Sequence, residues 1–318
     1  MTHSVPETRR GSLVFIGVDT RGSSIMQLFP RWAEILGLDA RIEGWDIRPG
    51  AAAATYRDAV RRLAGDPGIA GALVTSHKLH VYRHARRLFD EVDRYARLCQ
   101  EVSCISRRDG RLLGHAKDPI TAGLAIQDLL GPGRRLGETT GVLCLGAGGA
   151  GTAITVRLLE AAPAPGRIVV ADRDPGRLAT LRDICAGLHA GGVELARVPG
   201  AEDADALLAA LPEGSLVINA TGMGKDVPGS PLSGRAHFPL GALVWDLNYR
   251  GDLGFLRQAR EQAAVRGLEL HDGWRYFLHG WSQHIAQVYD LELAPPLFER
   301  LAEVAEPLRQ PTPATAQS

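Results

Sequence analysis

The 318-residue chain predicts an α/β protein: a Rossmann-type doubly wound parallel-sheet domain beside a second, N-terminal α/β domain. Three observations carry that prediction. Short apolar runs alternate with stretches of helical period along nearly the whole sequence, the pattern of βα units stacked into a parallel sheet. One apolar run, Val142 to Leu145, opens into Gly146-Ala147-Gly148-Gly149-Ala150-Gly151 and then a helical stretch, which is G-x-G-x-x-G in its strand–turn–helix setting. The next apolar run, 167–171, ends in Asp172, about twenty residues past the last glycine, where a ribose-binding carboxylate is expected.

The elements follow in order. Residues 12–18 read as a first strand, followed by a polar loop and a helical run, 25–38, with Pro30 bending or starting it. A second strand falls near 40–47, a helix at 51–64 and a third strand at 69–74, ending in Thr75-Ser76-His77-Lys78. Residues 81–98 read as mostly helical, with their arginines on a solvated face. Asp109-Gly110 between two apolar runs predicts a β-hairpin over 102–114. Asp118-Pro119 reads as a cap followed by a first-turn proline, opening a helix to 130. Residues 131–137 form a Gly/Pro/Arg linker into the glycine motif.

Beyond it the βα rhythm continues: strands at 168–171, 193–198, 216–219, 243–246 and 268–271, with helices at 175–190, 201–211 and 255–266. Two more helices, 274–289 and 294–305, are expected to return to the first domain. The expected organisation is therefore a substrate-binding domain over 1–118 with 272–308 packed back on it, a dinucleotide domain over 119–271, and a disordered tail over 309–318.

Composition narrows the function classes. Thirty-six basic and 36 acidic residues give a formal net charge of zero, which offers nothing to nucleic acid or to an anionic membrane. No apolar stretch is long enough to span a bilayer, and the polar N-terminus has no signal-peptide core. The four cysteines form no C-x-x-C pair, so free thiols in a reducing cytoplasm are expected. No histidine or cysteine spacing implies a metal.

In doubly wound sheets ligands sit beyond the carboxyl ends of strands. Lys78, Asp172, the 221–224 loop and Asn248-Tyr249 all fall just past such ends. Lys78 at a cleft mouth can exchange a proton with a substrate hydroxyl, and Asp118 can hold it in place. By composition and spacing alone the plainer reading is favoured for each, Lys78 as a surface lysine and Asp118 as a helix cap.

The segments GALVTSHK (71–78), GRLLGHAKD (110–118), CLGAGGAG (144–151), INATGMG (218–224), WDLNYRGDLGFLRQA (245–259) and DGWRYFLHGW (272–281) together resemble the shikimate/quinate dehydrogenase family, in its order and over nearly the whole chain. The resemblance implies hydride transfer between a nicotinamide and a ring alcohol, with Lys78 as general acid/base and Asp118 as its partner. It implies a substrate site drawing on Ser23, Ser24, Thr75, Ser103, Tyr249 and Gln283. It implies a cofactor site of Gly146, Ala147, Gly148, Gly149, Ala150, Gly151, Asp172, Arg173, Asn219, Ala220, Thr221, Gly222 and Met223.

Departures bear on the substrate. Of the family's N-terminal Ser-x-Ser pair only Ser23 aligns, Ile25 taking the second place and Ser24 standing between. The family's Asn-Thr strand reads Ser103-Cys104, its asparagine before the aspartate is Ala116, and its late glutamine is Gly280, flanked by His279 and Gln283. Lost hydrogen-bond partners change polar specificity strongly, so a cyclic polyol other than plain shikimate is expected. Arg21, Ser23, Ser24, His77, His115, His279 and Gln283 are the candidate replacements.

Asp172 and Asp174 flank Arg173, a pattern that favours NAD over NADP. The expected partner is a small cyclic hydroxy compound, with a homodimer as a possible assembly. Two rivals stand beside this reading. One is a methylene-folate dehydrogenase-like enzyme, against which the D-x-x-Y segment argues. The other is a metabolite-sensing module without turnover, against which the retained Lys78 and Asp118 argue.

Overall fold

The computed structural model describes residues 10–188, 192–225 and 227–309. These divide into two compact units. The first takes the chain up to Lys117 together with Leu278–Leu308, and the second takes Asp118–Phe277 with Arg309.

The first unit opens with β1 (Ser12–Gly17), α1 (Ile25–Leu36), β2 (Ile42–Asp46), α2 (Ala53–Gly65) and β3 (Ile69–Val74). Then come α3 (Lys78–Ala85), β4 (Glu91–Val92), α4 (Arg94–Cys99), β5 (Cys104–Arg108) and β6 (Arg111–His115). The strands form one sheet in the order β2-β1-β3-β5-β6-β4. β1, β2 and β3 run parallel, while β5 is antiparallel to β3 and to β6. The hairpin turns at Asp109-Gly110, both in the left-handed region (φ 50° and 74°) that this dipeptide tolerates.

The long helix expected over 81–98 is corrected: a 3-10 turn and the short strand β4 interrupt it. Asp90 Oδ2 accepts the Leu112 N–H at 2.7 Å and Asp93 caps α4 through the Ala96 N–H, so two aspartates divert the chain to pair with β6. Pro30 neither starts nor ends α1 but lies within it.

The second unit runs α5 (Asp118–Leu130), β7 (Gly141–Leu145), α6 (Gly149–Leu159), β8 (Arg167–Asp172), α7 (Pro175–Gly187), β9 (Val193–Arg197), α8 (Ala201–Ala209), β10 (Leu216–Asn219), β11 (Leu243–Asp246), α9 (Gly254–Arg266) and β12 (Glu269–His271). All six strands are parallel, in the order β12-β11-β10-β7-β8-β9. Numbered within the unit, that is the Rossmann order, which reverses direction between β7 and β10. Strand alternation builds two cores. Val142, Cys144, Ile168, Val170, Ile218 and Trp245 pack with α5, α6 and α7 on one face. Leu143, Leu145, Val169, Ala171, Val217 and Val244 pack with α8 and α9 on the other.

Helix α10 (Trp274–Tyr289) carries the chain from the second unit back to the first, and α11 (Pro295–Ala305) follows. In the first unit Trp281 meets Phe15 edge-on at 5.0 Å, Trp32 Nε1 donates to Leu301 O at 2.9 Å, and Tyr289 Oη donates to Gly11 O at 2.9 Å. The last two residues of the helix expected at 175–190 lie outside the described residues, as do the N-terminal segment read as lacking a signal peptide and all but Arg309 of the tail. Among the described residues no helix is long and apolar enough to cross a membrane, the four cysteines are free, and no cluster of acids, histidines and cysteines could hold a metal ion.

Candidate active site

In the second unit the site begins where β7 ends. Gly146 has φ 111°, a conformation glycine adopts without strain, and a Cβ there would stand 2.7 Å from Ala220 O. The loops after β7 and β10 therefore meet at the point where strand order reverses. Gly151 lets α6 close on the strand: a Cβ would fall 1.9 Å from Gly146 O. Gly148 differs, because a Cβ there meets nothing within 4 Å. It caps α6, whose first turn (Gly149, Ala150, Gly151) presents backbone N–H groups and the positive end of the helix dipole.

Asp172 ends β8 as a buried residue. Its Oδ2 accepts the Ala147 N–H at 2.7 Å and its Oδ1 accepts the Asp174 N–H at 2.9 Å, so this carboxylate ties the glycine turn to the β8 turn. Asp174 caps α7 through the Gly176 N–H. Arg177 lies 3.7 Å from both acids, while Arg173 is exposed.

The β10 loop hangs on a buried amide–acid cluster. Asn219 Oδ1 accepts from Thr221 N and Thr221 Oγ1 (3.1 and 2.7 Å), and Thr221 Oγ1 accepts from Met223 N. Met223 O accepts from both Asn219 Nδ2 and Asn248 Nδ2 (3.1 and 2.8 Å). Both amides also donate to Asp246 Oδ1 (3.1 and 2.8 Å), as does the Asn248 N–H (2.9 Å). Asp246 is 0% exposed, and its Oδ2 is buried with no hydrogen-bond partner. Burial pushes its pKa from 3.8 up to about 7, against the bonds from Asn248 and Asn219 and with a small push from Asp272. Ala220 and Gly222 complete the loop, Gly222 at φ 78°. Tyr249 follows directly, its ring 5.2 Å from Trp274 and 5.0 Å from Phe277. Asp118, the first residue of α5, is a buried residue of this unit.

In the first unit one sheet end gathers a second group. Gly17, at the end of β1, stands where a Cβ would lie 3.3 Å from Thr75 Oγ1 and 3.2 Å from Thr20 Cγ2, so the loops after β1 and β3 are neighbours. Ser23 and Ser24 lie where the first loop enters α1, both half-buried, and Arg21 beside them is exposed. The β3 turn takes Ser76 into the left-handed region (φ 59°) and starts α3 at Lys78, which is half-buried. Lys78 O accepts the Val102 N–H at 3.1 Å and Ser103 O accepts the Val74 N–H at 2.8 Å. Those two bonds bring Thr75, Lys78 and Ser103 to one sheet end.

Several candidate replacements are structural members of this unit. His77 is buried between Ile47 O (2.9 Å) and Tyr56 Oη (3.4 Å). His115 sits between Ser106 Oγ and Asp93. His279 stacks on Phe298 at 4.0 Å. Gln283 is half-buried on α10.

Three residues were not singled out from sequence: Asp246, Lys117 and Gln287. Asp246 opens the D-x-x-Y segment and carried a signal as a polar group at a strand end, just before the Asn248-Tyr249 pair. Gln287 stands one helical turn beyond Gln283, and Lys117 directly precedes Asp118.

No family model matches the chain. It is 32% identical over 189 residues to the shikimate dehydrogenase (NADP(+)) of Streptococcus gordonii, covering 56% of this chain and 61% of that one. It is 31% identical over 180 residues to the enzyme of the same name from Lactococcus lactis. The chain thus spans about three fifths of the length of the curated relatives it matches. Among solved structures, quinate dehydrogenase from Corynebacterium glutamicum in complex with NAD is similar over 94% of this chain and 99% of its own, with a TM-score of 0.75 at 24% identity, a likeness of fold.

Proposed function

We propose that the chain is a divergent shikimate dehydrogenase-like protein, an NAD(P)-dependent oxidoreductase acting on a secondary alcohol or ketone of a cyclic polyol. One observation carries the reading: the β7 and β10 loops meet at the reversal point of a Rossmann-ordered sheet, with an open glycine at the start of α6. The residues present fit a dinucleotide. Gly148 leaves backbone open to a pyrophosphate, the first turn of α6 offers N–H donors, and the Asn219–Thr221–Met223 loop is held rigidly beside them.

When bound, the nicotinamide supplies the hydride acceptor or donor. In this reading Lys78 Nζ takes the proton from the substrate hydroxyl on oxidation and returns it to the carbonyl oxygen on reduction. Asp118 orients Lys78 and favours its charged form. Thr75, Ser103, Ser23, Ser24 and Gln283 present hydrogen-bonding groups to the ring, and Tyr249 flanks the ring and the nicotinamide. Cys104, Ala116 and Gly280 stand where the family pattern has polar partners, which supports a ring alcohol other than plain shikimate.

NAD is the favoured cofactor. Two carboxylates, Asp172 and Asp174, border the β8 turn, and Arg177 is shared between them, leaving Arg173 as the cation to meet a 2′-phosphate.

The test is reduction of NAD and of NADP, followed at the nicotinamide absorbance band, with shikimate, quinate and related cyclic alcohols. Lys78→Ala is expected to abolish turnover and leave cofactor affinity within about twofold, as removal of an acid–base group costs ~100-fold or more. Unchanged turnover in that variant would refute the assigned role. Cofactor binding without turnover of any alcohol would favour a sensing module.

A further inference from the structure

Lys117 carries a buried charge that the protein balances only in part, with no carboxylate among the described residues in ion-pair contact. The residue is 8% exposed. Its N–H donates to Ser103 Oγ at 2.8 Å, and its Nζ donates to Gln287 Oε1 at 2.8 Å. An ammonium has three donors. Among the described residues, no second acceptor and no carboxylate within ion-pair distance meets Nζ.

The acid and thiol nearest to it compensate that charge only in part. Asp93 is committed to the Ala96 N–H (2.7 Å), the Ala116 N–H (3.3 Å) and His115 (3.5 Å). The thiol of Cys104 is pushed up to about 12 by burial and stays uncharged. Burial, the largest cause, pulls the Lys117 amine below its ordinary range against smaller upward pulls from Cys104 and Asp93, the sign of a charge only partly compensated. A buried ion without its opposite is costly, and that cost is recovered when a ligand brings the missing charge.

We propose that Lys117 is a specificity-determining residue that receives a carboxylate carried by the substrate. The inference rests on the dehydrogenase reading for the identity of the site and adds the residue that selects the substrate's charge. Its placement supports it. Lys117 is tied to Ser103, whose carbonyl takes the N–H of Val74 at the end of β3, the strand that delivers Thr75 and Lys78. One ammonium matches one negative charge, which fits a carboxylate better than a phosphate dianion. The next cation, Arg108, spends its guanidinium on Arg107 O, Gln287 O, Val288 O and Asp290.

The test pairs ring acids with their uncharged esters: shikimate, quinate and 3-hydroxycyclohexane-1-carboxylate, each against its methyl ester. Binding is measured by calorimetry with NADH present, and kcat/KM wherever turnover occurs. Wild type is expected to favour at least one acid over its ester. Lys117→Met is expected to weaken that acid on the order of 100-fold, through KM rather than kcat, and to leave its ester unchanged. Gln287→Glu, which gives the ammonium an internal carboxylate, is expected to remove the acid preference while keeping the fold, and it answers the question if Lys117→Met does not fold. Equal binding of acids and esters by wild type, binding of neither at millimolar concentration, or equal losses for both in Lys117→Met would overturn the assignment. Lysine-dependent acid binding without oxidation of any alcohol would instead sink the dehydrogenase reading and keep the carboxylate site.

Discussion

Asp246→Asn tests the buried cluster that holds the β10 loop. In the folded protein this carboxyl is fully buried, and its pKa stands at about 7 rather than 3.8. The raised value fixes the sign. Below pH 3.8 the group is protonated in both states and has no effect. Between 3.8 and 7 the folded state binds more protons than the unfolded one, so stability falls as pH rises, and the full loss persists above 7. A displacement of that size corresponds to about 4 kcal/mol in total. Roughly 2–3 kcal/mol of it falls between pH 5 and pH 8.

Asparagine keeps an oxygen for the three donors that converge on Oδ1 and cannot ionise. Its amide nitrogen would occupy the place of Oδ2, which has no partner, at a pH-independent cost of about 1–3 kcal/mol. The variant should therefore gain on wild type by roughly 2–3 kcal/mol between pH 5 and pH 8. Urea unfolding at pH 5, 6, 7 and 8 measures this, and the difference between the two proteins removes every other titration. Parallel curves would mean that the carboxyl ionises freely in the fold, and the reasoning would fail.

Further outcomes follow from other contacts. Gly151→Ala places a methyl 1.9 Å from Gly146 O; melting should show a loss of about 1–3 kcal/mol, and NADH fluorescence titration should show weakened binding, whereas unchanged values in both would contradict the close packing. Trp32→Phe removes the 2.9 Å bond to Leu301 O and should cost about 1 kcal/mol in chemical denaturation, without altering cofactor affinity. Cys104 and Cys144, both buried and raised to about 12, should resist alkylation in the native protein and react on unfolding, as read by mass spectrometry.

Period and punctuation made most of the fold legible. Residues 69–74 and 274–289 were readable to their ends, because an apolar run or a helical stripe stopped at a polar turn or at a glycine. The 81–98 segment was not, because its break depends on Asp90 and Asp93 bonding backbone groups of a hairpin more than twenty residues later in the chain. The glycine roles divided as motif chemistry expects, Gly146 and Gly151 for closeness and Gly148 for open backbone.

Side-chain commitments were harder to foresee. Asp172 reads as a ribose ligand by position, yet both its oxygens already hold backbone N–H groups. His77 and His115 read as free polar groups near strand ends, and each is anchored by neighbours distant in sequence. Lys117 was masked by its neighbour: beside Asp118 it looks like half of a surface charge pair, and only burial makes it anomalous.

The path of the chain through its two units bears on how the protein comes into being. The parallel-sheet unit is drawn almost wholly from one uninterrupted stretch, Asp118–Phe277, so it can assemble as soon as that stretch has left the ribosome. The other unit is emitted first but completed last. Its indole-to-carbonyl clasp joins Trp32 to Leu301, and its phenol clasp joins Gly11 to Tyr289. Until α10 and α11 emerge, Phe15, Trp32 and Gly11 lack their partners Trp281, Leu301 and Tyr289. The N-terminal half must then wait, with apolar surface exposed, while a later segment folds ahead of it, and that interval is when a nascent-chain chaperone would be needed most.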